Sequence, residues 1–240
     1  MNGILLINKP KGWTSFDAVN KVRRIIQYSS LNVTGKKRFP VGHTGTLDPM
    51  ATGLLVLLLG NYTKKAPELA KLDKTYSVTM CLGQTSTTGD EEGEKTIVSD
   101  ERPNQKAVEE ALRQFVGDIM QTPPAYSAIK VNGQRAYKLA RAGKPPVLEA
   151  RPVHIEKIVV TNYRYPYVDF VAQVSSGTYI RSLAEDAGKV LGTGAYMSNL
   201  RRLTVGAFRI TNAISPEELT PEIIVQNVHT AYPQPKSMER

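Results

Sequence analysis

One carboxylate in this chain stands where its direction can be controlled. Asp48 lies in Gly42-His43-Thr44-Gly45-Thr46-Leu47-Asp48-Pro49-Met50-Ala51-Thr52-Gly53, a stretch in which it is the sole acidic residue. Pro49 holds Asp48 in an extended conformation, and the three glycines of the stretch accept left-handed or crowded backbone. A carboxylate fixed on such a loop can be aimed at a reacting atom and act as a covalent catalyst. Glycoside hydrolysis needs a second carboxylate across the bond, and no motif in the chain supplies one. An Asp-Pro pair also starts ordinary turns, in which case the glycines only tighten the chain.

Two further side chains gain meaning from their elements. Lys74 to Leu82 alternates as a strand with Tyr76, Val78, Met80 and Leu82 on one face. Tyr76 is thus on the apolar side, where a tyrosine packs in the core and its hydroxyl needs a partner. The run Ser176-Gly177-Thr178-Tyr179-Ile180-Arg181 opens a helix that continues to about Leu191, with Ser and Thr suited to cap it and Gly192 just past its end. Arg181 then sits in the first turn, where the helix dipole opposes a cation. Either it faces solvent or an anion, carboxylate or phosphate, holds it.

Other chemistries lack their residues. No glycine is placed as a Walker A loop, and Gly192-x-Gly194 lacks the third glycine of a dinucleotide fingerprint, so neither ATP nor NAD is expected. Cys81 is the single cysteine, which excludes an intramolecular disulfide. Neither it nor His43, His154 and His229 shows metal-ligand spacing, so no metal is expected.

The elements that must position Asp48 surround it in the chain. Leu54 to Leu59 is a continuous apolar run, read as a strand buried on both faces that anchors the loop. Gly3 to Asn8 reads as a strand, followed by the turn Lys9-Pro10-Lys11-Gly12-Trp13-Thr14-Ser15, with Ser15 expected to cap a helix from about Phe16 to Tyr28. Val19, Val22, Ile25 and Ile26 form its apolar face, and Ser29 to Phe39 is a polar, basic loop. Tyr62 to Leu72 reads as a helix with Ala66, Leu69 and Ala70 inward, and Gly83 to Lys95 as an acidic, solvated loop.

Asn104 to Val116 is an amphipathic helix. In Gln121 to Arg141, a Pro-Pro lead-in, an Asn132-Gly133 turn and a helix from about Arg135 to Ala142 make a protruding unit rich in cations and tyrosines. Arg151 to Tyr163 and Val168 to Ser175 read as a strand pair. Met197 to Leu203 precedes a last strand ending near Ile210, Ser215-Pro216-Glu217-Glu218 starts a helix, and Ala231 to Arg240 reads as disordered.

Charge is segregated along the chain. The net charge is +9, and the stretches Ala18 to Leu47, Ile119 to Leu148 and Ala187 to Pro216 contain no Asp or Glu but hold 15 of the 31 cations. Such segregation suits a polyanion, above all a nucleic acid. Lys9 and Lys11 interrupt the apolar N-terminal run, leaving no signal peptide, and no apolar run approaches membrane-spanning length, so a soluble cytoplasmic protein is expected.

GHTGTLDPxATG, with KPxGxTS before it and PPAYSAxKVNGxRAYxLAR and SxGTYIRSLAxDxG after it, resembles the TruB family of tRNA pseudouridine synthases over residues 3 to 210. The resemblance implies an α+β fold with a mixed, largely antiparallel central sheet flanked by helices and loops, and a thumb segment over residues 121–150 that folds onto RNA. It implies isomerisation of a T-loop uridine of tRNA, position 55, to pseudouridine. Asp48 would be the nucleophile, Arg181 its ion-pair partner, and Tyr76 a packing and proton-accepting group.

His43, Lys9, Lys130, Arg135, Tyr179, Leu200 and Arg202 would meet the RNA, with His43 filling the space that the flipped base leaves. No cofactor, membrane or obligate protein partner is implied. The catalytic domain is expected over residues 1–215, followed by a short helix and tail over 216–240 in place of an appended RNA-binding domain. An RNA-binding or RNA-chaperone module without chemistry is the alternative, and a lone carboxylate amid cations argues against it.

Overall fold

The apolar run becomes the C-terminal part of a strand, Thr52–Leu59, buried from Gly53 onward. Both of its faces are covered. Leu55, Leu57 and Leu59 join Leu5 and Ile7 of strand Gly3–Lys9 and pack on Val19, Val22 and Ile26 of helix Ser15–Gln27. Leu54, Val56 and Leu58 join Ile4 and Leu6 on the other side, against Leu69, Val205 and Phe208. Burying a leucine contributes about 1.5–3 kcal/mol, so a strand clothed on two faces is among the most stable parts of its unit.

The computed structural model describes residues 1–32, 38–131 and 133–230. Part of the loop read over Ser29 to Phe39, Asn132 of the Asn132-Gly133 turn, and the tail 231–240 lie outside the described residues. The chain divides into two compact units, Met1–Tyr76 with Arg201–Arg240, and Ser77–Leu200. Among the described residues no helix is long and apolar enough to cross a membrane.

In the first unit, strand Gly3–Lys9 pairs antiparallel with Thr52–Leu59, and Val41–His43 pairs antiparallel with its Leu57 to Leu59 end. Arg201 and Arg202 pair in parallel with Thr52 and Gly53. Helix Ser15–Gln27 starts one residue earlier than expected, and its cap is Thr14: Asp17 N donates to Thr14 Oγ1 at 3.1 Å while Thr14 N donates to Asp17 Oδ2 at 2.8 Å.

The helix expected over Tyr62 to Leu72 is a 3-10 segment, Gly60–Lys65, and one α turn, Ala66–Leu69. Pro67 explains the break, since it lacks an N–H and fits only a first helical turn. Ser215 likewise opens only the 3-10 turn Pro216–Glu218. Pro221 keeps Thr220 extended, and a separate helix, Pro221–Asn227, begins with Thr220 as its cap.

In the second unit, Arg151–Arg164 pairs antiparallel with Tyr167–Val174 and, through Arg151 to Ile155, with Gly117–Gln121. Helix Gln105–Arg113 is capped by Asn104, whose Oδ1 accepts from Ala107 N at 2.9 Å. Lys130–Val131 and Gln134–Arg135 form a short hairpin that leads into helix Ala136–Arg141. Gly192, with φ +71°, ends helix Ile180–Val190.

The stretch Gly83 to Lys95 is no solvated loop: Gln84–Ser86 pairs with Lys95–Ile97, and Asp90 between them is buried. Met197 to Leu203 lies inside one long strand, Ala195–Val205, rather than ahead of one. The architecture is α+β with a mixed, largely antiparallel sheet, as the family resemblance implies.

Candidate active site

Asp48 is half-buried on a loop whose neighbours are fixed on every side. Ala51 N donates to Asp48 O at 3.0 Å and closes a turn over Pro49 and Met50. Ser15 brackets the preceding residue, since its Oγ accepts from Leu47 N at 2.8 Å and donates to Leu47 O at 3.1 Å. This hydroxyl, expected to cap the helix, serves the loop instead. Pro49 O, on the following residue, accepts from Gly12 N at 2.8 Å and from Lys9 Nζ at 3.3 Å.

Lys9 is 0% exposed, and its ammonium also donates to Trp13 O at 2.6 Å and Pro10 O at 3.0 Å. Arg202 is 2% exposed, and its Nη2 and Nε donate to Gly45 O at 3.1 Å and Leu54 O at 2.7 Å. Both were expected to meet RNA; both are buried and brace the loop instead. Carbonyl cages of this kind repay part of the cost of burying a cation. Gly53, with φ +102°, is needed where it stands, because a Cβ there would lie 2.3 Å from Arg202 O.

His43 ends the short strand that leads into this loop. Burial, with Arg202's charge beside it, pushes its imidazole below the ordinary histidine value, so it is neutral at pH 7. Its Nδ1 is buried without a hydrogen-bond partner among the described residues. Tyr76 is buried on its strand, on the apolar face the alternation predicts. Two residues earlier Lys74 is buried as well, its Nζ donating to Ala70 O at 2.7 Å, and burial followed by Arg202's charge brings its ammonium down to about 8.

In the second unit, Arg181 is in the first turn of helix Ile180–Val190. The cap residue is Tyr179, not the Ser or Thr before it, and Gln121 clasps it: Tyr179 N donates to Gln121 Oε1 at 2.8 Å, and Gln121 Nε2 donates to Tyr179 O at 3.0 Å. Arg181 is 6% exposed. Its Nη1 lies 3.5 Å from Asp90 Oδ2 and donates to Thr88 O at 3.3 Å, and Nη2 donates to Tyr126 O at 2.9 Å. An anion therefore does hold this cation against the helix dipole.

Asp90 was not foreseen. It is 3% exposed, and its Oδ1 accepts from Thr88 Oγ1 at 2.5 Å and from Glu92 N at 3.1 Å. The hydroxyl-rich run Ser86-Thr87-Thr88 ahead of it was the available signal, because such residues anchor a buried carboxylate. Nearby, burial pushes Glu185 above the ordinary carboxylate range. Lys130 and Arg135 are exposed on the short hairpin, Tyr179 is half-buried, and Leu200 is buried at the end of this unit.

Comparison with known proteins places this geometry among relatives. The family model described as TruB family pseudouridylate synthase (N terminal domain) matches residues 27–180, and that of the tRNA pseudouridylate synthase B C-terminal domain matches residues 181–232. The chain is 43% identical over 219 residues to tRNA pseudouridine synthase B of Burkholderia mallei, covering 91% of this chain and 69% of that protein. It is 44% identical over 236 residues to the protein of the same name from Thermobifida fusca, covering 93% and 76%.

Among solved structures, a chain of a Cbf5-Nop10-Gar1 complex matches with a TM-score of 0.70 at 27% identity, over 92% of this chain and 54% of that one. A chain of an H/ACA RNP bound to a substrate RNA containing 2'-deoxyuridine matches at 0.66 and 25%, over 92% and 53%. The chain thus spans about half the length of these solved chains.

Proposed function

This chain belongs to the TruB family of pseudouridylate synthases and isomerises uridine to pseudouridine in tRNA, and on that premise we propose that Asp48 is the nucleophile and a T-loop uridine, position 55, its target. The observation that carries the assignment is the bracing of Asp48: Leu47 before it and Pro49 after it are tied to Ser15, Gly12 and Lys9, while the flanking Gly45 and Leu54 are tied to Arg202. So many buried donors spent on one loop are what a preorganised carboxylate requires.

In the proposed reaction the N1–C1′ bond breaks, the base turns within the site, and C5 bonds to C1′. The proton on C5 leaves and N1 gains one, so the product is an isomer. Asp48 holds either C1′ of the sugar or C6 of the base while the base turns. Tyr76 is the proposed acceptor of the C5 proton. Arg181 is proposed to keep Asp48 charged. At about 4 Å and an effective dielectric near 20 such a pair gains roughly 4 kcal/mol, comparable to the desolvation it offsets.

The target base lies within a folded loop and must be flipped out, at a cost of a few kcal/mol. His43, neutral and flat, suits the space that the base leaves. Lys130, Arg135 and Tyr179 are proposed to contact the T-arm, with Leu200 at the rim of the site, and a cytoplasmic location goes with a tRNA substrate. Carbodiimide mapping of tRNA incubated with the protein tests the target: pseudouridine at the T-loop uridine is expected, and modification elsewhere alone would overturn the assignment.

A further inference from the structure

Helix Ser15–Gln27 buries one face and presents the other outward. Residues three and four apart stack in rows along a helix, so Phe16, Asn20, Arg23 and Gln27 form one outer row and Asp17, Lys21, Arg24 and Tyr28 the next. Phe16 is 54% exposed and Tyr28 87%, a large aromatic area to leave in water. Arg23 is held flat: its Nη1 donates to Asn20 Oδ1 at 2.6 Å, its Nη2 donates to Val41 O at 3.1 Å, and its guanidinium lies 5.8 Å from the centre of the Phe16 ring.

Arg38 is held at the end of this helix by its neighbour, since Phe39 N donates to Gln27 Oε1 at 2.7 Å, and burial first, then the like charge of Arg38, pulls Arg23 below its ordinary value. Asp17 is the one acid in the two rows, and its carboxylate accepts from Thr14 N at 2.8 Å and Thr14 Oγ1 at 2.7 Å. Lys21 has Glu217 nearby. Among the described residues, Arg23, Arg24 and Arg38 have no carboxylate within ion-pair distance.

The position of this face relates it to the reaction. The helix begins at Ser15, which grips Leu47 beside Asp48, and Arg24 comes nine residues later, about 14 Å along the axis. That exceeds what one flipped nucleotide spans. We propose that this helix face, through Arg23, Arg24 and Arg38 with Phe16 and Tyr28 as stacking surfaces, binds a stretch of RNA strand outside the nucleotide that meets Asp48.

The proposal rests on the reading of the chain as an enzyme of tRNA. An RNA strand supplies both things the face lacks, phosphates for uncompensated cations and flat bases for bare rings. An acidic protein surface would satisfy the cations and leave the rings unexplained.

The test uses the full chain and full-length tRNA. Binding is measured across a salt series for the Asp48→Asn protein, for the same protein carrying Arg24→Gln and Arg38→Gln, and for a control carrying Lys106→Gln and Arg113→Gln on the exposed side of helix Gln105–Arg113. Both doubles remove two charges. Abolishing one phosphate interaction lowers the log-log slope by roughly 0.7 to 0.9, so in the helix-face variant the slope is expected to fall by about 1.4 to 1.8 and binding near 0.15 M salt to weaken about tenfold.

In the control the slope is expected to fall by less than about 0.4. Equal decreases in the two variants would reduce the effect to net charge and overturn the proposal. An unchanged slope in the helix-face variant would also overturn it and leave an acidic protein as the partner of this face. Turnover of tRNA by the unaltered chain, followed in parallel, shows whether the catalytic reading stands independently of the binding result.

Discussion

Asp90 and Lys74 are the residues whose burial changes what a mutation should do. Asp90 supplies the carboxylate at 3.5 Å from Arg181, and both side chains are nearly without solvent. Removing one partner of such a pair strands the other charge, at a cost of about 3–5 kcal/mol. Asp90→Asn is therefore expected to lower the denaturation midpoint and to cut turnover by roughly tenfold or more, by letting Arg181 move; normal stability and turnover would show that Thr88 O and Tyr126 O suffice to hold it.

For Lys74 the sign follows from a folded value of about 8 against an ordinary 10.5. Below pH 8 both states carry the proton, and the fold bears the whole cost of the buried cation. Between about 8 and 10.5 the unfolded chain holds a proton that the folded one has released, so stability rises with pH across that window. Lys74→Met is expected to be the more stable protein at pH 7, by up to about 3 kcal/mol, with the gap closing by pH 10 in urea titrations. A gap that does not change with pH would mean that the lysine is not buried as a cation.

At this scale the sequence and the structure part ways over burial. Charge is visible in the letters, whereas burial is not. Lys9 and Arg202 read like any surface cations and turn out to be enclosed by carbonyls. Asp90 disappears into an acidic, glycine-rich run whose composition signals solvent.

Among the elements, those set by periodicity were legible. The run Leu54 to Leu59 and the alternation of Lys74 to Leu82 gave their strands because burial on two faces and on one face leave different patterns. Element starts were less so. Thr14 and Ser15 are both good caps, and only the tertiary contact decides that Thr14 caps while Ser15 turns to Leu47. Pro67 and Pro221 mark the two interruptions and were the available warning.

The Ser15 contact yields a prediction for the helix and loop as one piece. Ser15→Ala removes both bonds to Leu47 and leaves a buried N–H unmade, which costs about 1–3 kcal/mol. Because it shifts the loop carrying Asp48 and not the proposed RNA-binding surface, kcat should fall roughly ten- to hundredfold while KM stays within about twofold. Steady-state kinetics on tRNA check this, and an unchanged kcat would mean that the other braces hold the loop alone.

For the whole molecule, four motifs in order over residues 3 to 210 were enough to indicate the family, which the family models and relatives at 43% and 44% identity establish. The division into units was not legible, since one unit takes both ends of the chain and no linear shift in composition marks it. The proposed role of the braced Asp48 in the chemistry on tRNA is tested by tritium release from tRNA labelled at uridine C5, run beside a binding assay. Asp48→Asn should release no tritium above background, even in single turnover at saturating protein, while binding tRNA within about threefold of the unaltered chain, since the amide keeps the shape and loses the nucleophile. Release within roughly tenfold of the unaltered chain would contradict the account.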